Sequence, residues 1–123
     1  MKPVNEMSEQ ECRDEIARAN GYVYSELDGW WFDGHGCVVM DNDERAHPIH
    51  ATLDAAHDSL PEEWAWCSVQ WYTDEGKKDA VEAWCHPSGK CKDDLMCGER
   101  GSDERLARFR ASTAAHRAGT ERG

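Results

Sequence analysis

Long apolar runs are missing from this sequence of 123 residues. The opening stretch "MKPVNEMSEQECRDEI" has no apolar core of the kind that a secretory signal requires, and no later run approaches the length of a membrane span. We therefore expect a cytoplasmic protein that does not engage membranes. Because thiols stay reduced in the cytosol, we also expect the six cysteines to be free.

Positive charge is scarce as well, with 14 Lys and Arg against 25 Asp and Glu and a formal charge of −11. Residues 1–99 hold 8 basic and 22 acidic side chains, whereas residues 100–123 hold 6 basic and 3 acidic ones. An acidic body repels nucleic acid and attracts basic protein surfaces, so we expect no direct binding of nucleic acid. The positive C-terminal part is expected to pair with that body or with a second copy, which leaves a monomer and a homodimer both open.

The residue patterns of common enzymes are also absent. The sequence has no G-x-S-x-G motif, no phosphate-loop lysine and no caspase-type cysteine signature, and "DGHG" is too short to hold a phosphate. One cluster has residue types that divalent metals use, because His50, Asp54, His57 and Asp58 occupy neighbouring helical positions. The polar side of an acidic helix collects such residues without a metal, so we expect a protein that is not an enzyme. The alternative is a thiol or metal hydrolase that depends on His50 and His57.

Three helices are predicted from caps and periodicity. Ser8 and Glu11 form a capping box ahead of a helix that "NG" closes, and its buried side would consist of Cys12, Ile16 and Ala19. A middle helix is predicted in residues 49–60, with a buried stripe of Leu53, Ala56 and Leu60. The last helix would start after Ser102 or Asp103, end at Gly119 and bury Leu106, Phe109 and Thr113.

Strands are predicted between these helices. "YVYSEL", "GWWF" and "CVVM" read as short strands joined by tight turns, and "DNDERAHP" at 41–48 reads as a polar loop. In residues 65–72 strict alternation would place Ala65, Cys67, Val69 and Trp71 on one face and Trp66, Ser68, Gln70 and Tyr72 on the other. The run "AVEAWC" would pair with this strand and turn Val81, Ala83 and Cys85 inward. The resulting class is α+β, with a small mostly antiparallel sheet, about three helices and helix–sheet–helix layering. Residues 1–101 would form the acidic core and residues 102–123 a basic helix and tail of the same domain.

The stretch "AWCHPSGKCKDDLMC" contains three cysteines and a histidine, namely Cys85, His86, Cys91 and Cys97. Structural zinc sites usually hold two ligands two to four residues apart, whereas five residues separate each of these cysteines from the next. We therefore expect a reduced turn region without metal and no cofactor. The alternative is a zinc-stabilised interaction module that uses these four residues or replaces His86 with Cys67.

Six tryptophans are more than a core of this size needs. Exposed indoles among carboxylates form a surface for a cationic partner, and base stacking would instead need a basic groove. The alternative is a sheet covered on both faces with its indoles buried. The candidate partner-binding residues are the acidic side chains of three loops and two neighbouring indoles: Asp41, Asp43, Glu44, Glu62, Glu63, Trp64, Trp66, Asp74, Glu75 and Asp79.

The order "IARANGY", "GWWF", "HATLDAAHDSL" and a W-x-W strand, within residues 12–72, resembles the phage ABA-sandwich family. The resemblance implies a small phage-encoded protein that is expressed in a bacterial cytosol and brings no catalytic residues. Together with the acidic body, it leads us to expect an accessory protein that binds and inhibits a host protein with a basic cleft. The target would be a nucleic-acid-handling or defence complex such as a CRISPR effector, and the carboxylates would imitate the phosphates of DNA or RNA.

Overall fold

The computed structural model describes residues 2–71, 81–87 and 96–122, with side chains through residue 118. This part contains three α-helices and seven antiparallel strands in three small sheets, which confirms the α+β class. The helices are α1 (Glu9–Ala19), α2 (Leu53–His57) and α3 (Glu104–Arg122), and a 3₁₀ turn at Val4–Glu6 precedes them. The strands are β1 (Val23–Ser25), β2 (Trp30–Phe32), β3 (Met40–Asp41), β4 (Glu44–Arg45), β5 (Trp64–Trp71), β6 (Val81–Pro87) and β7 (Cys97–Gly101). The sheets are β1–β2, β3–β4 and β5–β6–β7.

Helix α1 begins where the sequence predicts it. The Ser8 hydroxyl accepts from the Glu11 amide at 3.2 Å, and the Glu11 carboxylate accepts from the Ser8 amide at 3.0 Å. This reciprocal capping box satisfies two amides that no helical carbonyl can reach. Cys12 and Ile16 are fully buried as expected, but the third buried residue is Ala17, and Ala19 is exposed.

Helix α3 lies between the three-stranded sheet and α1. Its alanines Ala107, Ala111 and Ala115 pack against the buried side chains of β6, and Phe109, on the opposite side of α3, packs with Cys12 and Ile16 of α1. Small side chains let the helix approach the sheet closely, and the bulky ring fills the space towards α1. In the described residues α3 and α1 therefore stack on the same side of the sheet, where we expected helices on both faces. The backbone of α3 is helical past Gly119, so the predicted end was wrong.

Strand β5 does not alternate as predicted. A bulge lies between Trp66 and Ser68, so Trp66 opposes Cys85 and Val69 opposes Ala83. Directly opposed residues share a face, and Cys85 and Ala83 point towards α3. Trp66 and Val69 therefore face inward together, and the expected grouping of Trp66 with Ser68 and Gln70 was wrong. The extra residue Cys67 reverses the alternation at this point.

The polar loop predicted at 41–48 contains a hairpin. β3 and β4 pair Asp41 with Glu44, and the two residues between them, Asn42 and Asp43, have φ of 51° and 66°. Two central residues with positive φ are typical of a type I′ turn, and Asn and Asp tolerate that conformation. The predicted polar loop therefore contains two short paired strands, which the sequence analysis did not predict.

Two further boundaries differ from the predictions. Helix α2 has only five residues, with Thr52 as its cap, and Leu53 of the expected buried stripe is 46% exposed. Strand β7 begins at Cys97, which we had placed in a loop, and pairs with β6 along its whole length. Asp103 caps α3 as expected, because its carboxylate accepts from the Leu106 amide at 2.8 Å.

Candidate functional site

Three of the arginines of α3 form ion pairs within the molecule. Arg117 donates to Glu15 of α1 at 2.6 and 2.8 Å, and Arg105 pairs with Glu9 of the same helix. Arg108 pairs with Glu104 on α3 itself, at 2.8 Å. The positive C-terminal part thus neutralises acids of the N-terminal helix, which is one of the two pairings that its charge suggested.

The acids between α1 and β5 have no such neutralisation. Residues 22–63 contain ten Asp and Glu but a single basic side chain, Arg45, and so carry a formal −9 of the chain's −11. All of these residues are described, and none of the ten carboxylates lies within 4.0 Å of a Lys, Arg or His nitrogen of the described side chains. Arg45 places its guanidinium 4.0 Å from the centre of the Trp30 ring rather than on an acid. We call residues 22–63 the acidic segment.

The first predicted cluster lies at the tip of the β3–β4 hairpin. Asp41, Asp43 and Glu44 are all exposed, with Asp43 in the tight turn and Asp41 paired with Glu44 at the strand ends beside it. The hairpin therefore concentrates three negative charges at its tip.

A neighbouring turn of the acidic segment is fixed by a carboxylate. Asp33 accepts from the amides of Cys37 at 3.0 Å and His35 at 2.8 Å. These two hydrogen bonds, first that of Cys37, hold the pKa of Asp33 below its usual value. The predicted "DGHG" loop is therefore a structured turn that keeps its negative charge.

The second predicted cluster borders an aromatic groove. Glu62 and Glu63 are exposed in the turn before β5, where the Trp64 amide donates to the Pro61 carbonyl at 3.1 Å. The groove has a volume of about 410 Å³, and its lining is formed by His57, Asp58, Leu60, Pro61, Trp64, Ala65 and Trp66. Acidic side chains thus flank a concave surface that combines two indoles with polar groups, a combination that suits a cationic side chain.

The indole of Trp66 is held in place from three sides. Its Nε1 donates to the His57 carbonyl at 2.7 Å, and the His57 ring stacks on it at 6.3 Å between centroids. The guanidinium of Arg108 lies 4.6 Å from the ring centre. An arginine of this same chain therefore already occupies one face of Trp66, which shows that the indole accepts such a cation.

The other candidate binding residues and the tryptophans are distributed unevenly. The third predicted cluster, Asp74, Glu75 and Asp79, lies outside the described residues. Trp31 is buried at 7% exposure and Trp71 is exposed at 63%, whereas Trp30, Trp64, Trp66 and Trp84 are half-buried. The described tryptophans are therefore neither all buried in a covered sheet nor all exposed in one aromatic row, which were the two alternatives from the sequence.

Several exposed apolar side chains were missed as candidates. Besides Trp71 they are Val23, Leu27 and Met40, and Leu27 is completely exposed. All three lie in the acidic segment, and Leu27 and Met40 each adjoin an acid in sequence. Val23 and Met40 lie in strands of two or three residues, too short to form a covered face, and Leu27 lies in the turn between β1 and β2.

The structure describes part of each metal hypothesis. Cys85 and Cys97 oppose each other on β6 and β7, but no third ligand joins them among the described residues. Cys85 and His86 are consecutive on β6 and point to opposite faces, and the His86 Nδ1 lies 2.9 Å from the Pro87 carbonyl oxygen. His50, His57, Asp54 and Asp58 are exposed, and no described group of three or more His, Cys, Asp or Glu residues is arranged to hold a metal. Cys91 lies outside the described residues, so the zinc alternative stays a prediction.

Within the described ranges, no helix combines the length and the apolar character needed to cross a bilayer. Comparison of the chain with protein-family models, with curated proteins and with solved structures gave no match. The resemblance to the phage ABA-sandwich family therefore stays a prediction, and function has to be argued from the geometry of the chain.

Proposed function

We propose that the protein is a non-enzymatic binding protein whose acidic segment docks in a basic cleft of a partner protein. The observation that carries this proposal is that ten carboxylates occupy residues 22–63 without one ion pair to a basic side chain that the structure describes. Repulsion between these charges lowers the free energy of unfolding, and a cationic partner would reduce that repulsion. Among the described side chains of α3, Arg105 and Arg117 pair with α1 and Arg108 pairs with Glu104, so we expect the acidic segment to draw its counter-charge from a partner.

The partner class follows from the charge and the shape of the surface. Carboxylates on a projecting hairpin imitate a row of phosphates, so the basic cleft is one that normally holds DNA or RNA. Occupation of that cleft excludes the nucleic acid, which makes the protein an inhibitor. A phage-encoded inhibitor of a bacterial nucleic-acid-handling or defence complex, such as a CRISPR effector, fits this mode of action.

The proposal is tested by capture from a bacterial lysate on the immobilised full chain. Bound proteins should elute steeply as salt rises from about 0.05 M to about 0.5 M, because the Debye length then shrinks below the range of these contacts. Added duplex DNA should compete for the same cleft and release the same proteins. Capture that is indifferent both to salt and to DNA would exclude phosphate mimicry.

Charge-reversal variants with a matched control test whether the acidic segment is the surface that binds the partner. Glu44→Lys and Glu62→Lys should each weaken binding about tenfold, because each replaces an attraction with a repulsion at the interface. Glu6→Lys makes the same charge change at an exposed position outside the segment, and it should leave binding nearly unchanged. Equal losses for all three variants would mean that only net charge matters, and no specific surface would be involved.

A further inference from the structure

The β6–β7 pairing places two cysteines directly opposite each other. Cys85 and Cys97 are Cα partners in the register, and the Cys85 Sγ lies 3.6 Å from the Cys97 carbonyl oxygen. Opposed residues on antiparallel strands have Cα atoms about 4.5–5.5 Å apart. A disulfide bridges Cα atoms that are roughly 4.4–6.8 Å apart, so the register meets its main geometric requirement.

The two thiols differ in access. Cys85 is fully buried against α3, where its Sγ lies 3.8 Å from the Ala111 carbonyl oxygen. Cys97 is half-buried at the start of β7, which is an edge strand of the described sheet. A dissolved oxidant therefore reaches Cys97 first.

The two thiols also differ in protonation. The neighbouring Cys85 side chain lowers the pKa of Cys97, whereas the Cys97 side chain together with burial raises the pKa of Cys85. The thiolate is the nucleophile in disulfide exchange. The lower pKa of Cys97 therefore favours Cys97 as the attacking sulfur.

We propose that Cys85 and Cys97 form a redox-active thiol pair that a low-molecular-weight disulfide, such as oxidised glutathione, converts into an intramolecular disulfide. The Cys97 thiolate attacks one sulfur of the oxidant, the oxidant's S–S bond breaks, and one small thiolate leaves. Cys85 then transfers its proton to that thiolate and attacks the Cys97 sulfur, which releases the second small thiolate. The two cysteines lose two electrons, which the oxidant takes up as its S–S bond is replaced by two thiols.

The other described cysteines lack this arrangement. Cys12 is buried between α1 and α3, and burial raises its pKa to about 11. Cys37 and Cys67 are exposed, and neither is paired in register with another cysteine in the part of the chain described. Cys67 is the extra residue of the β5 bulge and offers a matched control for thiol accessibility.

Peptide mapping of the oxidised full-length protein tests the proposal. Trypsin cleaves after Lys90, Lys92 and Arg100, which places Cys85, Cys91 and Cys97 on three separate peptides. After incubation with oxidised glutathione, the expected product is a linked pair of the Cys85 and Cys97 peptides. Linkage of the Cys91 peptide to either of the other two as the main product would overturn the assignment, and so would full alkylation of all six thiols.

Variants separate the roles of the two sulfurs. Cys85→Ser should trap glutathione on Cys97, whereas Cys97→Ser should slow the reaction of Cys85 about tenfold or more because no accessible thiolate starts the exchange. Cys67→Ser should form the Cys85–Cys97 link at the wild-type rate. If Cys85→Ser fails to fold, Cys97→Ser still decides the matter, because unchanged oxidation of Cys85 in that variant would contradict the mechanism.

Discussion

Arg117 of α3 clamps Glu15 of α1 with two parallel hydrogen bonds, Nε to Oε2 at 2.6 Å and Nη2 to Oε1 at 2.8 Å. The same guanidinium donates to the Lys2 carbonyl at 2.9 Å, so it ties three parts of the chain together. Both side chains of the pair are largely shielded from water, at 18% and 29% exposure. Bidentate pairs of this kind are stronger than surface ion pairs because their geometry is fixed and their screening is reduced.

We expect Arg117→Ala to lower the free energy of unfolding by about 2 kcal/mol, since it leaves the Glu15 carboxylate half-buried without its partner. Lys2→Ala removes the ion pair between Lys2 and Glu11, whose side chains are 48% and 41% exposed, and should lower the free energy of unfolding far less than Arg117→Ala does. Urea unfolding of both variants measures the difference. Equal costs would mean that the α1–α3 pair contributes no more than a surface contact.

The parts of the fold that were predictable are those whose determinants are local. The start of α1 depends on Ser8 and Glu11, which lie three residues apart and satisfy each other's amides without help from the rest of the chain. The Asp103 cap of α3 is local in the same way. The exposure of Asp41, Asp43 and Glu62 was predictable too, because an unpaired carboxylate needs water.

The parts that were not predictable depend on partners distant in sequence. The bulge at Cys67 arises where β5 pairs with β6, and it turns Trp66 towards α3 although the sequence alternates without a break. The position of α3 between the sheet and α1 rests on an alanine stripe, which gives little hydrophobic contrast in a sequence. These two features decide how Trp66 lines the groove, so Trp64 and Trp66 could be named as candidates from the sequence but the groove that they line could not.

The outer face of the sheet leads to a prediction at Gly98. A Cβ atom at this position would lie 2.5 Å from two ring atoms of Trp84, because the indole lies directly over the glycine backbone. Gly98→Ala should displace the ring and lower the free energy of unfolding by about 1–3 kcal/mol. Gly34→Ala is the matched control, since a Cβ there would meet nothing within 4 Å. Thermal unfolding of both variants tests this, and an unchanged midpoint for Gly98→Ala would refute the close packing.

The core between α1 and α3 depends on a single aromatic ring. Phe109 is fully buried with Cys12 and Ile16, so Phe109→Ala should cost about 3–4 kcal/mol through lost transfer energy and the cavity left behind. Leu53→Ala should cost less than about 1 kcal/mol, because Leu53 of α2 is 46% exposed. Chemical unfolding compares the two, and a large loss at Leu53 would instead support the buried stripe that the sequence suggested.

The histidine of α3 should make the protein sensitive to mild acid. Burial lowers the pKa of His116 from its usual value of 6.5, although the Ser59 carbonyl, 2.9 Å from its Nε2, and the nearby Glu15 act in the opposite direction. Below pH 6.5 the His116 imidazole therefore binds a proton in the unfolded chain but not in the folded chain. The free energy of unfolding falls as the pH drops towards the lowered pKa. Below that lowered pKa both states are protonated, and this contribution stops changing.

His116→Gln should flatten this part of the pH profile, because glutamine can still donate to the Ser59 carbonyl but does not titrate. His50→Gln removes an exposed imidazole and should leave the slope as in the wild type. Urea unfolding at closely spaced pH values between about 5 and about 7.5 measures the slopes. If His116→Gln keeps the wild-type slope, the acid sensitivity belongs to another group, and burial of this imidazole does not govern it.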